Sequence, residues 1–194
     1  LGSGGGLDCF LASREVGPEG RVIGVDMTPD MLERARKTAQ AGGYENVEFR
    51  LGEIEALPIA DNSVDAVISN CVINLSPDRA RVFREIFRIL KSGGRVMISD
   101  LISEHATPGF LLEDADALVG CLPVKEADYL AQLRAAGMVD VEIVEEKPYP
   151  NDLLTGDAAV QRFLQQNPEE GKRVKEFIAS TRSGMIQGFK PTEG

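Results

Sequence analysis

Cysteine and histidine are scarce in this chain: its 194 residues hold three cysteines, Cys9, Cys71 and Cys121, and one histidine, His105. Three is an odd number, so at least one thiol has no partner within the chain, and a disulfide framework is excluded. The spacing is too wide for a CxxC redox pair or a zinc finger, and the lone histidine argues against a His-rich metal site. No apolar run approaches the roughly 20 residues needed to cross a bilayer, and no basic-then-apolar leader opens the sequence. A soluble, cytoplasmic protein without a membrane partner is expected. An excess of basic residues is also missing. Lys and Arg number 21 against 31 Asp and Glu, a formal charge of −10, which repels phosphate backbones and anionic lipid alike. Nucleic acid is therefore excluded, and a small-molecule ligand is favoured. The 43% hydrophobic content is enough to build the core of one domain, or of one domain with a small appendage.

Strand and helix signals alternate along the chain. Arg21 to Asp26 is a short apolar run that follows a turn and ends on an acid, which reads as a buried strand. Thr28 offers a capping oxygen, Pro29 suits the first helical position, and Met31, Leu32, Ala35 and Ala39 recur at helical spacing up to Gly42-Gly43. Further strands are expected at Asn46 to Leu51, Val64 to Asn70 and Arg95 to Leu101. Between the last two, Val82, Phe83, Ile86, Phe87 and Leu90 mark an amphipathic helix that stops near Ser92-Gly93-Gly94. Helices are expected near Gly109 to Val119 and Lys125 to Ala136. The alternation predicts an α/β fold with a mostly parallel, doubly wound sheet. In the tail, Val139 to Glu145 and Gly184 to Phe189 are strand-like and flank helices at Asp157 to Gln166 and Glu169 to Thr181. An antiparallel edge with a helical insertion follows from that order. The expected division is a domain over residues 1–147, with 102–123 on the substrate side, and a small C-terminal α/β extension over 148–194.

Gly2, Gly4 and Gly6 form a G-x-G-x-G loop directly before a helix signal. Glycine lets such a backbone take positive φ and approach a ligand closely, and the helix N-terminus adds unpaired N–H groups. Alone, the pattern is as often a tight connection. Asp26 strengthens it, because an acid about 20 residues on, at the end of the next strand, can accept hydrogen bonds from a ribose diol. A dinucleotide fingerprint prefers G-x-G-x-x-G with the pyrophosphate on the helix terminus, and this loop has neither that spacing nor a compensating Arg or Lys. S-adenosylmethionine is the better guest. Glu53, after the third strand, could then accept from the adenine amino group, with Ile54 against the ring.

The segments Leu1-Gly2-Ser3-Gly4-Gly5-Gly6, Val25-Asp26-Met27-Thr28, Gly52-Glu53-Ile54-Glu55 and Leu90-Lys91-Ser92-Gly93-Gly94 together resemble the Rossmann-like class I S-adenosylmethionine-dependent methyltransferases over roughly residues 1 to 145. More specifically, the run from Ser69 to Asp78, Ser69-Asn70-Cys71-Val72-Ile73-Asn74-Leu75-Ser76-Pro77-Asp78, resembles the segment after the fourth strand of arsenite methyltransferases. Asp8-Cys9-Phe10-Leu11-Ala12-Ser13 and Gly120-Cys121 resemble that family's other cysteine motifs. The resemblance implies an arsenic-detoxifying enzyme that moves a methyl group from S-adenosylmethionine to trivalent arsenic. It implies Cys71 and Cys121 as arsenic ligands, Cys9 as an assisting catalytic residue, and cofactor contacts from Gly2, Gly4, Gly6, Asp26, Met27, Glu53, Ile54 and Asn70. An external thiol reductant, such as thioredoxin or glutathione, is implied as well. The family's first strand, with its acidic residue and a further cysteine, is expected upstream of Leu1.

Cysteine suits this chemistry because trivalent arsenic is a soft centre and thiolates are soft ligands. A free thiol, with a pKa of about 8.5, is only slightly ionised at neutral pH, and arsenic binding would itself drive deprotonation. Two alternatives stay open. One is a C- or O-methyltransferase of a small metabolite, of the quinone-pathway type, which would need a general base such as His105 or Tyr129. The other is a protein that binds arsenic or the cofactor without turnover.

Overall fold

The computed structural model describes residues 1–109, 122–150, 155, 156, 158–166 and 168–192. Strands and helices alternate as the hydrophobic periodicity predicts: α1 (Leu7–Val16), β1 (Val22–Asp26), α2 (Pro29–Gly42), β2 (Val47–Leu51), β3 (Val64–Asn70), α3 (Arg79–Ile89) and β4 (Leu90–Ser103). After them come β5 (Val124–Lys125), α4 (Glu126–Ala135), β6 (Val139–Pro148), α5 (Ala158–Gln166), α6 (Pro168–Ser180) and β7 (Arg182–Phe189). The helix expected near Gly109 to Val119 lies almost wholly outside the described residues.

Hydrogen bonding divides the strands into two ladders. β1 and β2 pair in parallel, from Val22 against Val47 to Asp26 against Leu51. β3 pairs in parallel with β4, and the order then runs β4-β7-β6 through two antiparallel pairings, with the short β5 alongside the end of β4. No ladder joins β1 to β3. Instead the backbone of residues 1–3 bridges them, Leu1 N donating to the Ile68 carbonyl at 2.7 Å and Ser3 N to that of Val25 at 3.0 Å. The backbone of residues 1–3 thus lies between the two ladders and ties them together. The tail forms the antiparallel edge expected from its order, with the two helices between its strands in sequence. β7 lies between β4 and β6, pairing with β4 from Arg95–Phe189 to Ile102–Arg182.

Side-chain alternation puts helices on both faces of the first ladder. On one face, Phe49 joins Cys9 and Phe10 of α1 and Leu32, Ala35 and Ala39 of α2. On the other, Val25 belongs to the main core, where Val67, Val96, Ile98 and Ile102 meet Val82, Phe83 and Ile86 of α3 and Tyr129 and Leu133 of α4. Phe83 and Tyr129 pack edge to face, with ring centroids 5.2 Å apart, the arrangement their quadrupoles favour. Two helix ends depart from the sequence reading. Thr28 makes no side-chain cap for α2; its N–H is taken by Asp26. α3 is capped by Asp78, whose carboxylate accepts from Arg81 N at 3.0 Å, and ends at Ile89, where Leu90 already pairs with Val64 in the sheet.

Lys190, just beyond β7, closes the far end of α3. Its ammonium donates to the carbonyls of Phe87 and Leu90, both at 2.8 Å, and to Asn62 Oδ1 at 2.6 Å, and lies 4.5 Å from the centroid of the Phe87 ring. A cation on orphan carbonyls at a helix C-terminus answers both their lone pairs and the helix dipole. Lys190→Met, which keeps the stem and removes the donors, is expected to cost about 2 kcal/mol, read as a lowered urea midpoint with an unchanged slope.

Candidate active site

The site is built where β1, β2 and β3 deliver their carboxyl ends, the usual ligand edge of an open α/β sheet. Asp26 organises it. Its Oδ2 accepts from Gly4 N at 2.7 Å and its Oδ1 from Thr28 N at 2.9 Å, so one carboxylate holds both the glycine loop and the turn into α2. Each oxygen keeps a further lone pair for a ligand hydroxyl. Gly2, Gly4 and Gly6 have φ of 59°, 48° and 92°, the left-handed region that favours glycine. At Gly4 nothing lies within 4 Å of where a Cβ would stand, so its backbone faces open space. At Gly2 a Cβ would stand 2.5 Å from Val72. The glycine loop is therefore packed directly against the residue that follows Cys71.

Glu53 is exposed and Ile54 half-buried in the turn after β2, where Gly52 N donates to the carbonyl of Asp26 at 3.1 Å. α3 fixes the residues that follow, because Glu85 accepts from Leu57 N at 2.8 Å and Arg88 donates to the carbonyls of Leu57 and Ile59. The Arg88 guanidinium beside Glu85 holds that carboxyl below its ordinary range. Met27 is 70% exposed beside Asp26, and Asn70 is exposed at the end of β3.

Cys71 follows directly. Its side chain is exposed, its φ is 50°, and its N–H donates to the Ser99 carbonyl of β4 at 2.8 Å. A left-handed conformation in a residue with a Cβ is uncommon and costs energy; here it turns the chain out of β3 at the mouth of the glycine loop. Cys121 lies outside the described residues, but its neighbour Leu122 is tied to the same turn: Asn74 Nδ2 donates to the carbonyls of Leu101, at 2.8 Å, and Leu122, at 3.1 Å. Ser76 donates a short hydrogen bond to Glu55, linking this turn to the one that carries Glu53. Sequence reasoning assigned no role to Asn74, Ser76 or Glu55, although all three stand in the quoted motifs.

Cys9 is placed differently. It is 6% exposed, inside the apolar cluster of α1, α2 and β2, and burial pushes its thiol up. A protonated thiol among apolar neighbours packs as a small hydrophobe, unlike the exposed Cys71. The candidate general bases are not assembled either. His105 is exposed after β4, whereas Tyr129 is fully buried and donates to Asp100 Oδ2 at 2.7 Å. Among the described residues no cluster of three His, Cys, Asp or Glu could hold a metal ion, and no helix is long and apolar enough to cross a membrane.

This combination of a Gly-rich loop, an acid closing the next strand, a further acidic turn after β2 and a sheet ending in antiparallel β7 and β6 defines the class I methyltransferase fold. The chain belongs to the methyltransferase domain family, whose profile, described as "Methyltransferase domain", matches residues 1–151. It is 53% identical over 145 residues to an arsenite methyltransferase of Halobacterium salinarum, an alignment covering 74% of this chain and 37% of the relative. It is 43% identical to the arsenite methyltransferase of Mus musculus over 196 residues, 90% of this chain and 52% of the relative. The crystal structure of an arsenic(III) S-adenosylmethionine methyltransferase from Chlamydomonas reinhardtii superposes with a TM-score of 0.79 at 33% identity, covering all of this chain and 63% of that one. The chain spans about a third to a half of the length of the relatives it matches.

Asp100 lies beneath the Cys71 turn, between Ser99 and Leu101, whose carbonyls hold that turn. It is fully buried, and burial pushes its carboxyl up to about 6, against the pull of the Tyr129 hydroxyl and the Arg79 charge. The folded state therefore holds this proton more tightly than the unfolded chain, whose value is 3.8. Stability linked to Asp100 is fully present below about pH 4 and is lost as pH rises through about 6, a change of about 3 kcal/mol. Asp100→Asn is expected to remove that fall, read as the difference between wild-type and variant urea midpoints at pH 4 and pH 7.

Proposed function

We propose that this chain is the cofactor- and arsenic-binding part of an arsenite methyltransferase, which transfers a methyl group from S-adenosylmethionine to trivalent arsenic held by the thiolates of Cys71 and Cys121. The observation that carries the reading is the contact between the glycine loop and the Cys71 turn, Gly2 against Val72, which puts an exposed thiol at the mouth of the cofactor loop. The names borne by the relatives, arsenite methyltransferases from an archaeon and a mammal, support it.

The residues present fit the cofactor. Gly4 leaves open space where a side chain would stand, and Ser3 in the same loop carries a buried hydroxyl with no partner among the described residues. Gly2, Gly4 and Gly6 would border the methionine part, Asp26 and Met27 the ribose, Glu53 and Ile54 the adenine, and Asn70 the strand end beside them. When bound, S-adenosylmethionine supplies a methyl group on a positively charged sulfur.

The chain's own work is to hold and aim the acceptor. Thiolates from Cys71 and Cys121 bind arsenic and leave it a lone pair, so no general base is needed at the arsenic atom. That suits a site in which Tyr129 is committed to Asp100 in the core. Orientation and exclusion of water are the contributions left to the protein. An external thiol such as thioredoxin or glutathione would return the thiols and arsenic to their reduced states. Burial of Cys9 supports a packing role for it.

Cys71→Ser and Cys121→Ser in the full-length protein are each expected to keep S-adenosylmethionine affinity in calorimetry and to lose arsenite methylation by at least about 100-fold, followed by mass spectrometry. Full activity in both variants would overturn the reading. Asp26→Ala releases Gly4 and Thr28, and a roughly tenfold loss of cofactor affinity, about 1.4 kcal/mol, is expected with the fold retained.

A further inference from the structure

Ser76 is 6% exposed, and its hydroxyl works in two directions. It donates to the Glu55 carboxylate, 21 residues earlier in the chain, and accepts from Asp78 N at 3.1 Å. Ser76 closes a single helical turn, Ile73–Leu75, in which Leu75 N donates to the Val72 carbonyl at 3.1 Å and Ser76 N to that of Ile73 at 3.0 Å. The backbone from Cys71 to Ser76 is therefore one tight unit, held at its head by the bond from Cys71 N to the Ser99 carbonyl of β4. Glu55 belongs to a second such unit. There Gly52 N donates to the Asp26 carbonyl and Ala56 N to that of Glu53, both at 3.1 Å, while Leu57 N donates to Glu85 of α3 at 2.8 Å. The Cys71 turn is thus fastened at both ends to the proposed cofactor cradle. Val72 lies against Gly2 of the glycine loop, and Ser76 holds the turn that carries Glu53 and Ile54. The first is a van der Waals contact without a preferred direction, whereas the second is a charge-assisted hydrogen bond, stronger and directional.

We infer that Ser76 and Glu55 are a positioning pair that fixes the adenine-side turn against the turn bearing Cys71, and so sets how bound S-adenosylmethionine is aimed at an acceptor on that thiol. This rests on the arsenic reading above. In the transfer, the arsenic lone pair forms the arsenic–carbon bond while the carbon–sulfur electron pair returns to sulfur. The sulfonium becomes a neutral thioether, and arsenic becomes formally pentavalent until the external thiol reduces it. Such a displacement depends on alignment, and a misplacement of about 1 Å can cost roughly 100-fold in rate. Affinity for either reactant alone is less demanding, because Asp26 still holds the glycine loop and Ser99 still holds Cys71 when the pair is broken. Loss of the pair therefore falls on the transfer step rather than on binding.

The test separates rate from affinity in the full-length protein. Single-turnover mixing of the arsenite-loaded protein with S-adenosylmethionine reads the transfer step; calorimetry reads cofactor affinity, and phenylarsine oxide titration reads trivalent arsenic affinity. Ser76→Ala removes the donor. Glu55→Ala removes the acceptor and leaves Asp78 N its partner, serving also as the milder variant if the first fails to fold. Each is expected to keep wild-type affinity for both ligands and to slow the single turnover by at least about tenfold. The double variant is expected to be no slower than either single one, because residues acting as a unit are not additive. Glu55→Gln, which keeps an acceptor oxygen, is expected to recover most of the rate. Wild-type turnover in Glu55→Ala, or rate losses that multiply in the double variant, would overturn the pairing alone. Parallel losses of rate and of both affinities would reduce the two residues to general structural parts and overturn it too. If the wild-type protein binds S-adenosylmethionine yet forms no methylated arsenic, the arsenic reading fails and the role of the pair fails with it.

Discussion

The hydrogen bond from Gly4 to the Asp26 carboxylate is the constraint on which the cofactor side of this molecule depends. A loop of glycines has little reason to hold one shape, since the residue type that permits positive φ also permits nearly everything else. One acid at the end of β1 removes that freedom, accepting from the loop on one oxygen and from its own downstream turn on the other. From that fixed loop the rest follows by contact. Gly2 meets Val72, Val72 adjoins Cys71, and Cys71 is pinned to β4 through Ser99. The glycine loop also stitches the two hydrogen-bonded ladders of the sheet, so the same few residues serve the fold and the site.

The cysteines show how burial sorts chemistry that composition leaves mixed. Cys9 and Cys71 are the same residue type within one chain, yet one is enclosed by phenylalanines and alanines and kept protonated, while the other is offered to solvent on a left-handed turn. Only a reachable thiol that can lose its proton is able to take a soft ligand. A buried thiol held protonated packs instead.

Much of this was legible in the sequence wherever local chemistry decides the outcome. Gly2, Gly4 and Gly6 with Asp26 could be read because the loop requires glycine and the strand end requires an acid, both visible without long-range contacts. β3, with Cys71 just past its carboxyl end, followed from a short apolar run ending at a turn. Other features depend on partners distant in the chain. Thr28 looked like a helix cap, but its side chain accepts from no N–H of α2, and its own N–H donates to Asp26. The burial of Cys9 depends on which face of α1 meets Phe49, and the α1 sequence is too weakly amphipathic to reveal it. Asn74 could not be assigned, because its carbonyl partners lie 27 and 48 residues away.

The placement of β7 has a consequence for how the protein comes to exist. The edge of β4 away from β3 is paired only by β7, which follows it by some eighty residues, and β6 joins the sheet only through that same strand. During synthesis the amino-terminal half can bury its own helices early, whereas β4 must wait with one edge unpaired until residue 189 has left the ribosome. Such distant pairings slow folding, and unpaired edges invite association with other chains. Until then the edge of β4 is the part of the nascent molecule most in need of a chaperone.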